Sequence, residues 1–122
     1  MTAAESEVLN PVAVEQAIRV CAERIHKGVK SVTDREKIAR EAARTYDRAF
    51  AAAYLAAEGP AHEKKYRAEL ATTVERDALD VAEVAFRYAE RTARAVEAEL
   101  RAWQSVGASV RAMYSAPAGV GR

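Results

Sequence analysis

The chain has 122 residues and carries 19 basic against 18 acidic side chains, a formal charge of +1. That balance removes the electrostatic footprint of a dedicated nucleic-acid or anionic-membrane binder, and the length sets one domain with a short tail. The single cysteine, Cys21, excludes an internal disulfide and a cysteine cage for a metal, so a reducing compartment is the natural setting.

Residues 1–10 read as a flexible lead. They are acidic and lack an apolar core, unlike a secretory signal, and no run of 18 apolar residues follows that could span a membrane. Asn10-Pro11 signals a helix start, because asparagine caps and proline tolerates the first helical position. A short first helix is therefore predicted over about 11–27, with Val14, Ile18, Cys21 and Ile25 on one stripe. Gly28 reads as its stop, with Arg24, His26 and Lys27 suited to the negative end of the helix dipole. Thr33-Asp34-Arg35-Glu36 has the form of a capping box, which predicts a second helix over about 33–58. Its seam is Ala39, Ala42, Tyr46, Ala49, Ala53 and Ala56. Gly59-Pro60 breaks that helix. The segment Ala61 to Thr72 is helix-permissive but poor in large apolar groups, and reads as a loop with a helical turn or two.

Thr72-Thr73-Val74-Glu75 reads as a second capping box opening a long helix over 73–114. Leu79, Ala82, Phe86, Ala89, Ala93, Val96, Leu100, Trp103, Gly107, Val110 and Tyr114 recur at alternating steps of three and four, the spacing of a coiled-coil or bundle seam. The predicted fold is all-α: an antiparallel long-helix hairpin, coiled-coil-like, with a shorter N-terminal helix, three helices in one domain over 11–114. Residues 115–122, rich in glycine, alanine and proline, read as a disordered tail. Val81, Tyr88, Ala95 and Ala102 widen the apolar face of the third helix beyond one seam, so a third helix or a second copy should cover it. The candidate self-association residues are Leu100, Trp103, Val106, Val110 and Tyr114, which makes a homo-oligomer the expected state; packing of Trp103 on the first helix is the competing reading.

Catalytic machinery is not visible: no nucleophile–base pair, no isolated carboxylate pair, no phosphate-cradling glycine loop. His26 and His62 lack the partners of a metal site, and Cys21, on an apolar stripe, reads as an inert buried thiol. Neither an enzyme, a cofactor nor a metal is expected. Glu83–Arg87, Glu90–Arg94 and Glu97–Arg101 stand in the favourable order for ion pairs four residues apart. Lys37, Arg40, Arg44 and Arg48 are interspersed with acids. The candidate nucleic-acid or acidic-partner contact is therefore Lys64, Lys65, Tyr66 and Arg67, where an aromatic lies among bases; a solvated loop is the competing reading.

The runs AYLAAEGPAHEKKYRAELAT and AEVAFRYAERTARAVEAELRAWQSVGASVRAMY, within Tyr46 to Tyr114, carry three motifs: the AxAYLxAEG break, the charged stretch ending in AELAT, and the closing LxAWQSVGASVR. In these the chain resembles small helical early-region proteins of actinobacterial tailed phages and prophages. Pro11 to Lys27 lies outside the match. The resemblance implies a non-enzymatic accessory protein of DNA replication or recombination in the host-cell cytoplasm, partnering a DNA-metabolism protein or single-stranded DNA, with no membrane role. A virion or assembly component, such as a head–tail adaptor or scaffold-like bundle, is the alternative.

Overall fold

The computed structural model describes residues 10–120, with side chains to residue 115. The sequence expectations for residues 1–9 and 121–122 fall outside the described residues. Three helices and no strand are present among the described residues: α1 Pro11–Ala56, α2 Ala61–Ala71 and α3 Thr73–Val120. The fold is all-α, a pair of long helices with a shorter one between them in the chain. The short helix is thus the central one rather than the N-terminal one.

The start of α1 follows the sequence. Asn10 Oδ1 accepts a hydrogen bond from the Ala13 N–H at 2.9 Å, which satisfies one of the amides a helix start leaves unpaired. The expected stop at Gly28 and restart at Thr33 do not occur: α1 runs unbroken over 46 residues. The stripe explains why. Ile25, Gly28 and Val32 keep the three-and-four spacing and are all half-buried, so the buried edge passes through the glycine. A mid-helix glycine costs about 0.5–1 kcal/mol relative to alanine, which continuous burial of the stripe offsets. Thr33 is consequently interior to the helix, not a cap. Asp34 pairs with Lys30 at 2.7 Å, and Glu36 turns to Arg40 at 3.0 Å.

Gly28 supplies a test. An added Cβ would meet only the Ala93 Cβ, at 4.0 Å, an ordinary contact. Gly28→Ala should raise stability by about 0.5–1 kcal/mol in urea denaturation. A loss of similar size would mean that the position adopts the left-handed geometry of a helix stop.

Gly59-Pro60 ends α1 as the sequence indicates. Gly59 has φ 107°, the sole positive φ among the described residues, and Pro60 stands extended before α2. Ala61–Ala71, expected as a loop, forms a helix of 11 residues. Its composition is helix-prone throughout, but it buries one side chain, Ala68, so no apolar period announces it. The expected capping box at Thr72 is also replaced. The Thr72 hydroxyl donates backward to the Ala68 carbonyl at 2.7 Å, closing α2 rather than opening α3. Past Tyr114, where a disordered tail was expected, α3 continues to Val120. The Ser115 hydroxyl donates to the Arg111 carbonyl at 2.9 Å, a helical back-bond that satisfies one group of this last stretch.

The packing divides into two compact units. Among the described residues, one joins the part of α1 up to Val29 with the part of α3 from Thr92 on; the other is Lys30–Arg91. In the first, Val14 and Ile18 lie against Gly107, Cys21 meets Glu99, and Gly28 faces Ala93. Val14, Cys21, Val96 and Val110 are its buried apolar residues. In the second, Ala39, Ala68, Leu79 and Ala82 are buried, Phe86 lines a cleft with Ala39 and Ala43, and the Arg76 guanidinium sits over the Tyr46 ring at 5.5 Å.

Candidate interaction surface

The sequence-predicted self-association residues lie largely on the internal seam. Val110 is buried, Leu100, Trp103 and Val106 are half-buried, and of the five only Tyr114 is mostly exposed, at 60%. They do not form one open patch. Gly107 accounts for part of this: the space a Cβ would need is occupied by Val14 Cγ1 at 3.2 Å, so α1 approaches the α3 backbone closely here.

The predicted basic contact is likewise dispersed. On α2 successive residues turn about 100°, so Lys64 to Arg67 fan around the helix. Lys64 is half-buried with its ammonium 5.1 Å from the Tyr54 ring centroid, a cation–π contact. Lys65, Tyr66 and Arg67 are exposed, with Lys65 and Arg67 on nearly opposite sides. The other basic run is neutralised in place. Glu41 takes Arg44 at 2.7 Å and Arg48 at 3.7 Å, and its hydrogen bond to Arg44 holds its carboxyl below the usual range. Of the three glutamate–arginine pairs read from the α3 sequence, Glu83–Arg87 forms, at 4.0 Å. These are exposed pairs, screened by solvent, and they stabilise the helices weakly.

Cys21 is 1% exposed, and its thiol donates to Glu99 Oε2 at 3.0 Å, the oxygen that Arg24 also contacts at 3.0 Å. The hydrogen bond to Glu99, then burial, then the glutamate charge push the thiol pKa above its ordinary 9.0, while Arg24 opposes them. The folded state therefore holds the proton more tightly than the unfolded one. The stability this contributes is complete below about pH 9 and is lost as pH rises through the folded value. At pH 8, the native thiol should react with a disulfide reagent at least about tenfold slower than in denaturant; equal rates would mean an accessible thiolate. Among the described residues no group of His, Cys, Asp or Glu is arranged to hold a metal, and no helix is long and apolar enough to cross a membrane.

Amid its exposed charged residues the Lys30–Arg91 unit also leaves an apolar face open. Along α3, Val74, Val81, Val84 and Tyr88 are 77, 70, 66 and 71% exposed. Val74, Ala78, Val81, Ala85 and Tyr88 step four, three, four and three, so α3 carries a second stripe beside its buried seam. Ile38 of α1 is 52% exposed nearby. A shallow groove of about 380 Å³ lies between Ile38 and Val81, lined also by Ala78, Ala82 and Ala85, with Arg35 and Asp77 as its charged members. The Val81–Tyr88 flank was legible in the sequence; Ile38 was not marked as part of it, although its place one step off the α1 seam was a signal. No protein-family model, curated protein or solved structure matches this chain.

Proposed function

We propose that this chain is a non-enzymatic helical interaction protein that self-associates through an open apolar face. The observation that carries the reading is the second three-and-four stripe on α3, exposed at every member but the half-buried Ala85. An isolated soluble helix pair gains nothing from a row of valines and a tyrosine held in water, whereas contiguous apolar surface of this kind marks an interaction site. Within each unit the contacts pair later residues of α1 with earlier residues of α3, which supports antiparallel, coiled-coil-like pairing and a rigid surface for docking.

The resemblance to actinobacterial phage early-region proteins supports a role as an accessory of DNA replication or recombination in the host-cell cytoplasm, acting through protein contacts. Sedimentation equilibrium of the full chain at tens of micromolar should show a self-associated species, and a clean monomer would overturn the proposal. Contact with single-stranded DNA is a secondary feature of this reading, resting on either Lys65 or Arg67, which face different sides of α2 and make no ion pair among the described residues. Reversing both charges should abolish any gel shift seen at low salt; an unchanged shift would remove α2 from DNA contact.

A further inference from the structure

From the groove of the Lys30–Arg91 unit we infer that its occupant is a second copy of the same face, related by a two-fold axis passing near Val81. The inference rests on the self-association proposed above and names its surface. Three observations meet there. The second stripe, Val74, Ala78, Val81, Ala85 and Tyr88, is centred on Val81, with its two ends, Val74 and Tyr88, each seven residues away. A two-fold axis at its centre therefore sets Val74 of each copy toward Tyr88 of the other and brings the two Val81 side chains together.

The charges fit the same operation. Asp77 and Arg35 both line the groove, and neither is in an ion pair among the described residues. With Arg76 over Tyr46 fixing the register, Arg35 lies opposite about residue 87 of α3. It thus stands roughly 15 Å along the groove from Asp77, taking 1.5 Å per residue. One end of the groove is positive and the other negative. Reversal of a copy about the central axis lays each positive end on a negative end, and both contacts form at once, as an isologous interface requires. A parallel copy would set like charges together.

The exposed residues Val74, Val81, Val84, Tyr88 and Ile38 gather on one side of the unit, the kind of grouped apolar surface that marks an interface. Two α1–α3 pairs stacked in this way make a four-helix bundle, which covers the stripe that the single chain leaves in water.

The test uses the full chain in sedimentation equilibrium, with helix content followed by circular dichroism. Val81→Glu alters an exposed position, so helix content should hold, while dimer dissociation should rise at least about tenfold because two carboxylates meet on the axis. Arg35→Asp and Asp77→Arg should each weaken the dimer, and the double variant R35D/D77R should restore it, since the two ends are merely exchanged. Failure of the double variant to recover would overturn the two-fold placement. A dimer that survives Val81→Glu but is broken by Met113→Glu, at an exposed apolar position outside this unit, would overturn this surface while leaving self-association standing. A monomeric wild-type chain would overturn the proposed function itself.

Discussion

Leu79→Ala should lower the free energy of unfolding by about 2–5 kcal/mol, while the same substitution at Leu55 should change it by no more than about 0.5 kcal/mol. The two leucines have similar helix propensity to alanine, so burial alone separates them. Leu79 is 7% exposed on the α3 seam; Leu55 is 80% exposed at the end of α1. Removing the Leu79 side chain forfeits its transfer from water and leaves a void that neighbouring alanines are too short to fill. Urea denaturation at one fixed protein concentration is the measurement, because a self-associating chain gains stability with concentration. Equal effects at the two sites would show that the seam through Leu79 is not the core of its unit.

The second large effect is expected at Ala68→Leu. Ala68 is 0% exposed and is the buried residue of α2, with Thr72 beside it at 2%. Three extra carbons at a closed position should cost about 1–3 kcal/mol. The loss should be local as well as global. Beyond Ala68 and Thr72, α2 is held by the Lys64–Tyr54 contact, so pushing Ala68 outward should release this helix before the long ones. Limited trypsin digestion reads this directly, since Lys64, Lys65 and Arg67 lie on α2. Faster cleavage there, with the rest of α1 and α3 still protected, is the expected pattern. Unchanged digestion would show that Ala68 has room to grow.

The contrast between these two sites also explains what the sequence could disclose. The α3 seam was legible because its regular alternation of three and four includes large groups such as Leu79, Phe86, Leu100 and Trp103, and its predicted members from Leu79 to Val110 are buried or half-buried. The Asn10-Pro11 start and the Gly59-Pro60 break were legible because their chemistry is local. The continuity of α1 was hidden by weighing Gly28 as punctuation. Its position on the stripe, between Ile25 and Val32, was the stronger signal, since packing outweighs a propensity penalty of about 1 kcal/mol. The helix α2 gave no period to read, because a helix that docks through one alanine has none. At Thr72 a pattern with the form of a capping box proved to close the preceding helix, because a threonine hydroxyl can turn either to a later amide or to an earlier carbonyl. Among the candidate interaction residues, Trp103 and its neighbours were correctly seen as apolar on α3, but which stripe faces inward depends on where α1 lies, and spacing on one helix does not contain that.

A single residue, Thr72, separates α2 from α3. With no slack at this joint, the angular phase of α2 is inherited directly from the first turn of α3. Lengthening the joint by one residue would rotate the short helix by about 100°, carrying the Ala68 methyl toward solvent and a charged neighbour toward the interior. The stretch from Ala57 to Pro60 has no such coupling and can absorb a change of length. Natural variation in chain length should therefore collect on the Gly59 side of the short helix and be absent from its Thr72 side.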